Sequence, residues 1–236
     1  MQKTPRSDRR AWNAPLPKRH FKTDSSRTAD SEGVCPVVRI VVATRNRHKQ
    51  REIDALCGAS KKWRLLFLDR YPNAPHPRET GKTFDENATL KARAIATYTG
   101  LPSISDDSGL EVAALGGKPG VRSARFAGAR ATDKDNNEKL LRLLKNLPLS
   151  RRKACYRCSL ALAFPDGKTY LFRGKLSGRI AFLPAGLHGF GYDPLFIVPR
   201  YGKTVAELSP ALKNKISHRA RAFRKLRRFI QKYARG

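Results

Sequence analysis

The chain has 236 residues, 49 Lys and Arg against 19 Asp and Glu, and a formal net charge of +30. A hydrophobic share of 40% supports a core and excludes full disorder, the absence of an apolar run of about 18 residues excludes a transmembrane helix, and 4 Cys do not make a disulfide scaffold. The charge calls for polyanions: nucleic acid, a membrane surface or phosphorylated small molecules.

The basic excess is spread along the chain. Residues 1–33 hold 8 basic and 4 acidic residues, and residues 213–236 hold 10 basic and no acidic ones. A dispersed excess fits a basic surface better than a single binding tail, so nucleic-acid binding is expected to be at most weak and nonspecific. Residues 1–33 contain Pro5, Pro15 and Pro17 and no sustained periodicity, and read as a disordered basic extension. A transit peptide is the alternative, weakened by Asp8, Asp24, Asp30 and Glu32. The folded domain is expected over 34–236, in a reducing, cytoplasmic setting.

Val37 to Ala43 is β-branched and nearly all apolar, which suits a strand buried on both faces of a parallel sheet. A loop and a helix start follow from Thr44 to Leu56. Phe84, Ala88, Ala92 and Ile95 fall at helical spacing and predict a helix over Thr83 to Tyr98, stopped by Gly100. Ser103 to Ser105 reads as a short strand ending in Asp106-Asp107, with Ser108 and Gly109 favouring a turn. Asp133 to Leu147 reads as a helix capped by Thr132 or Asp133. Cys155 to Phe164 and Thr169 to Phe172 predict a hairpin around Pro165-Asp166-Gly167. Pro210 to Tyr233 predicts one long terminal helix with an apolar stripe of Leu212, Ile216, Phe223, Leu226, Ile230 and Tyr233. The mixture predicts an α/β fold with a mixed sheet.

Five constellations could carry chemistry. Thr44-Arg45-Asn46-Arg47-His48-Lys49 follows the buried strand, where a helix N-terminus, Asn46 and Lys49 suit an anion; a merely polar turn is the alternative. Asp106-Asp107-Ser108-Gly109 puts carboxylates where α/β sheets place ligands, or forms a solvated turn. Glu79 precedes a helix start with Glu86, Asn87 and Lys91, acids that complement the helix dipole or serve a metal. Gly189-Phe190-Gly191-Tyr192-Asp193-Pro194 sets aromatics between glycines and suits a purine, unless it is a structural turn. Lys213 and Ser217 lie one helical turn apart, followed by His218-Arg219. The Cys155–Cys158 spacing lies in a strand without further ligands and reads as core cysteine.

Taken in order, Thr44-x-Asn46-x-x-Lys49, Glu79-Thr80-Gly81-x-Thr83-Phe84-x-Glu86-Asn87-Ala88, Asp106-Asp107-Ser108-Gly109-Leu110, Phe190-Gly191-Tyr192-Asp193-Pro194 and Ser217-His218-Arg219 resemble the inosine/xanthosine triphosphate pyrophosphatase family, over about residues 37–234. The resemblance implies an elongated α/β fold with a central mixed sheet flanked by helices, and two lobes with a substrate cleft between them. It implies a homodimer and Mg²⁺-dependent hydrolysis of non-canonical purine nucleoside triphosphates (ITP, dITP, XTP) to the monophosphate and pyrophosphate. By the same resemblance Thr44, Asn46 and Lys49 hold the phosphates, and Asp107 is general base and metal ligand with Glu79. Ser108 contacts substrate; Phe190, Gly191, Tyr192 and Asp193 form the base pocket, completed by Lys213, His218 and Arg219. Arg45 stands where the family usually has Gly, and Arg47 and His48 where residues are usually small. The alternative is a basic nucleic-acid-binding protein on the same fold with reduced or lost activity.

Overall fold

The computed structural model describes residues 37–57 and 63–233. The extension expected over 1–33 lies outside them. Seven strands form one mixed sheet in the order β2-β1-β3-β4-β5-β6-β7. They are β1 Val38–Val42, β2 Trp63–Phe67, β3 Ser103–Val112, β4 Lys153–Ala163, β5 Thr169–Ile180, β6 Phe196–Val198 and β7 Lys203–Thr204. The helices are α1 Arg47–Cys57, α2 Phe84–Thr99, α3 Asp133–Leu144, α4 Pro210–Ile216 and α5 His218–Tyr233. Among the described residues no helix is long and apolar enough to cross a membrane.

β1 runs parallel to both β2 and β3, which explains its unbroken apolar sequence: Ile40, Val41 and Val42 are fully buried. From β3 onward every pairing is antiparallel. The change of direction falls at β3, and the register Val42↔Ile104 sets Asp106 and Asp107 just past the C-terminal end of β1. The chain leaves β1 there as the Thr44–Lys49 turn, so turn and carboxylates meet at the crevice typical of open α/β sheets.

β3 departs from the expected short strand. It continues through Asp106, Asp107 and Gly109 because β4 pairs with its whole length, from Ser103↔Ala163 to Val112↔Ala154. Gly109 is in the strand for closeness, not for a turn. A Cβ there would lie 2.6 Å from the Gly120 carbonyl oxygen and 2.4 Å from Ser123 Oγ.

α2 begins and ends where the sequence indicates. The Thr83 hydroxyl accepts from Glu86 N, and Gly100 closes the helix in the left-handed conformation at φ 62°. Its buried face is Ala88, Ala92, Ile95 and Ala96, and the alanines meet Ala161 and Ala163 of β4. Small residues on both sides let α2 lie close to the sheet. α3 is capped by Thr132 in a capping box with Asp135, and ends at Leu144 rather than Leu147 because the chain turns through Leu147 N to the Leu144 carbonyl. On β4 the alternation buries Cys158 but leaves Cys155 half-buried, so only one of the two is core.

The expected single terminal helix is two. Ser217 adopts extended backbone (φ −61°, ψ 158°), ends α4 and accepts from Ala220 N at 3.1 Å at the start of α5. The apolar stripe divides accordingly. Leu212 and Ile216 pack against the core shared by β3 to β6 and α3, while Phe223, Leu226 and Ile230 belong to the core under β1, β2 and β4. The break turns Lys213, His218 and Arg219 onto one cleft.

Candidate active site

A cleft of about 350 Å³ runs from the turn after β1 to the Phe190–Asp193 segment. At one end, Asn46 caps α1: its Oδ1 accepts from Lys49 N at 3.1 Å, and Thr44 Oγ1 accepts from Asn46 N at 3.2 Å. That leaves the Asn46 amide NH₂ and the N–H groups of Arg47 and His48 for an anion. Arg45 reaches away from the turn to the Ala74 carbonyl at 2.7 Å. His48 stacks on Phe190 with ring centroids 5.3 Å apart, which brings the two ends of the cleft into contact.

The two adjacent carboxylates of β3 face opposite sides and live in different fields. Asp106 is buried, which alone would raise its pKa. Lys49 at 3.2 Å, then Arg219 at 3.1 Å and more distant Lys91, outweigh burial and hold it well below the usual carboxylate range. Asp107 receives Lys91 Nζ at 3.1 Å and Asn87 Nδ2 at 3.4 Å. There burial wins over Lys91 and Lys49, Glu79 adds repulsion, and the carboxyl is pushed up. Lys91 also holds Glu79 Oε1 at 2.7 Å; partial burial would raise Glu79, but Lys91, Lys49 and Arg125 together lower it. One ammonium group thus joins two carboxylates of opposite tendency. Glu86 does not reach the cleft: it is exposed and accepts from Lys82 N, whereas Lys91 and Ile95 of α2 line it and buried Asn87 acts from behind, through Asp107.

At the other end Asp193 is buried and fully engaged. It accepts from Tyr156 OH at 3.1 Å, Phe190 N at 3.0 Å and Lys213 Nζ at 2.6 Å. Lys213 also binds Glu52 Oε1 at 2.6 Å; Glu52 binds Arg219; Arg219 returns to Asp106 and to Ser108 Oγ at 2.8 Å. His218 stacks on Tyr156 at 4.8 Å and 14°. Burial, then Arg219 and Lys213, lower its pKa well below the ordinary histidine value, so the ring is neutral at pH 7. Its Nδ1 is buried without a hydrogen-bonding partner among the described residues, although the ring lines the cleft. Gly191 is tied to α3 through both backbone groups: N–H to Asp133 at 2.6 Å and C=O to Asn137 at 3.0 Å. Tyr192 is buried, and its hydroxyl donates to Ser123 O at 2.9 Å.

Of the residues singled out from the sequence, Thr44, Asn46, Lys49, Glu79, Asp107, Ser108, Phe190–Asp193, Lys213, His218 and Arg219 lie at this cleft, and Glu86 does not. Two partners, Glu52 and Tyr156, were not read from the sequence. Glu52 stands one turn after Lys49 on α1 and was readable as an acid sharing the lysine's helix face. Tyr156 carries only strand alternation as a signal.

The sequence model of the Ham1 family matches residues 40–229. A curated relative from Geobacter sulfurreducens, named dITP/XTP pyrophosphatase, is 52% identical over 79% of this chain and 93% of its own. Among solved structures, a HAM1 protein from Coxiella burnetii superposes with a TM-score of 0.76 at 40% identity, covering 82% of this chain and 98% of that one. The Ham1 protein of Staphylococcus aureus gives 0.74 at the same identity and coverage.

Proposed function

The chain belongs to the Ham1 family, and on that premise we propose that its cleft takes a purine nucleoside triphosphate with the phosphates at the Thr44–Lys49 turn and the base at Phe190–Asp193. The reaction is hydrolysis of non-canonical purine nucleoside triphosphates such as dITP and XTP, a pyrophosphatase cleavage at a phosphoanhydride bond. The observation that carries the site assignment is the convergence of Glu79 and Asp107 on Lys91, at 2.7 and 3.1 Å, beside the Thr44–Lys49 turn.

A triphosphate brings about four negative charges, which Lys49, the Asn46 amide, the Thr44 hydroxyl and the α1 N-terminus meet with donors. Asp107 receives the proton of the attacking water; its raised pKa makes it a stronger base than an ordinary carboxylate. Lys91 and Asn87 fix the direction of that carboxyl. A divalent cation fits the same place, because the oxygens of Glu79 and Asp107 already converge on a single positive charge and are hard donors. Glu79 and Asp107 would hold the ion, and a hard, oxygen-only donor pair of this kind suits Mg²⁺. When bound, the ion neutralises phosphate charge and acidifies water.

At the base end Phe190 offers a stacking face. The unpartnered Nδ1 of His218 and the fixed Asp193–Lys213 pair supply the polar edge. A 6-oxo purine satisfies donors aimed at O6, whereas a 6-amino purine leaves a buried group unpaired, at a cost of about 1–3 kcal/mol. Ser108 and Arg219 bridge the two ends. Assembly as a homodimer and a cytoplasmic setting complete the proposal.

Pyrophosphate release from ITP, dITP, XTP, ATP and GTP with added Mg²⁺ tests the reading. The 6-oxo substrates ITP, dITP and XTP are expected to exceed ATP by about tenfold or more in kcat/KM. Equal turnover of ATP would overturn the base assignment, and full activity in a chelator would remove the metal.

A further inference from the structure

A second concavity, about 480 Å³, lies between α5 and the outer face of β4 and β5 and shares no lining residue with the catalytic cleft. Its α5 wall carries Arg221, Arg224, Lys225 and Arg228, all exposed, at one-turn spacing. Its sheet wall carries Arg157, Arg173 and Lys175. Two carboxylates attend this set: Glu111 binds Arg157 at 2.6 Å, and Asp85 binds Arg173 Nε at 2.8 Å. Among the described residues none of the four α5 cations is ion-paired. Main-chain carbonyls orient three of them instead: Lys175 O holds Arg221 at 2.9 Å, Lys215 O holds Arg224 at 2.8 Å and Arg173 O holds Lys225 at 2.7 Å. A carbonyl directs a cation without cancelling its charge.

The arrangement opposes the fold's own stability. Arg157 and Lys175 are direct cross-strand partners, and like charges in that register repel. Arg221 and Lys225, and Arg224 and Arg228, are like pairs at i,i+4. An anion laid in the groove relieves all three repulsions at once.

We propose that this groove docks the phosphodiester backbone of single-stranded nucleic acid without regard to sequence. Arg221 to Arg228 span about 10 Å of helix, more than a single phosphate group needs. The wall holds one aromatic, Phe84, and cations in place of the amides that read bases, so backbone and not base is the feature recognised. A membrane surface lacks an anchor here, because Ala222, Phe223, Leu226 and Ile230 of α5 face the core. A second copy meeting this face across a two-fold axis sets its cations against their own equivalents.

The test is fluorescence anisotropy of a labelled oligothymidylate, longer than the roughly 4–16 nucleotides of common single-strand sites, with the full chain between about 50 and 200 mM salt. The groove triple Arg224→Gln, Lys225→Gln, Arg228→Gln is compared with a control triple, Arg130→Gln, Arg142→Gln, Lys145→Gln, that removes equal charge from exposed positions near α3. The groove triple is expected to lower affinity about tenfold and to flatten the log–log salt slope by about 2, at roughly 0.7 per phosphate contact. The control is expected to retain most of both. Pyrophosphatase turnover is expected to stay unchanged in each. The strand is also expected to raise the Tm of the natural chain and not that of the groove triple. Should the triple not fold, Arg224→Gln and Arg228→Gln alone each flatten the slope by about 0.7. Equal losses in both triples would overturn the proposal. So would displacement of the strand by inorganic pyrophosphate at equal phosphate concentration, or tighter binding to phosphatidylserine vesicles than to the strand.

Discussion

The two ends of the catalytic cleft are built on opposite plans. At the base end Asp193, Lys213, Glu52, Arg219 and Asp106 form one continuous chain of ion pairs, with side chains no more than 14% exposed. At the phosphate end Lys49 and Lys91 lean on carboxylates at 3.2 and 3.1 Å, Glu79 is 32% exposed, and the Thr44–Lys49 turn faces solvent. Charges in the first region cannot change partners without leaving a buried charge alone. Charges in the second can trade a carboxylate for a phosphate when substrate arrives. On the proposed function, recognition falls to a rigid network and chemistry to an adjustable one. The boundary runs between two neighbouring residues, Asp106 and Asp107, which strand geometry sends to opposite sides of β3.

Substitutions at the two ends should therefore fail in different ways. The largest effect is expected from Asp107→Asn, which keeps the shape and removes the base. Turnover should fall about 10²- to 10⁴-fold while the unfolding free energy changes by less than about 1 kcal/mol, read by pyrophosphate release and urea titration. Glu52→Gln should do the reverse. It leaves Lys213 and Arg219 short of a charge, and a loss of about 4 kcal/mol in urea unfolding is expected. A stable Glu52→Gln chain would break the distinction between the regions.

Asp106 sharpens it further through pH. Its folded pKa lies below the unfolded value of about 3.9, so its stabilisation is complete above about pH 4 and drains away as pH falls toward the folded value. Asp106→Asn should cost about 3 kcal/mol at pH 7 and much less near pH 2, measured as the difference between the two chains at each pH. The smallest effect is expected from Asp133→Ala, which frees the Gly191 N–H at the rim of the base pocket. KM should rise about fivefold, near 1 kcal/mol, with kcat unchanged.

The sequence singled out residues that come together better than it described the backbone around them. Motif residues from five separate segments converge where the C-terminal end of β1, the middle of β3 and the break between α4 and α5 meet. β3 was misjudged at Asp106 for a physical reason. Two acids followed by Ser-Gly resemble a turn, and only the long antiparallel partner β4 and the tight approach at Gly109 keep the chain extended. The break at Ser217 was hidden by a stripe that stays in phase across it, although the two halves face different cores. Tyr156 escaped notice because its role depends on Asp193 and His218, distant in sequence, which local spacing does not encode; Glu52 shares the helix face of Lys49, but its partners Lys213 and Arg219 are equally distant. The basic surface, first a reason to expect polyanions in general, resolves into a few cations at the cleft and a separate stripe on α5.

The central claim, that chemistry and recognition occupy different ends, is tested most directly by the ratio of kcat/KM for ITP to that for ATP in Asp107→Asn. The account predicts that both values fall by the same factor, so the ratio of the natural chain is preserved. Undiminished activity, or a collapse of the ratio, would contradict it.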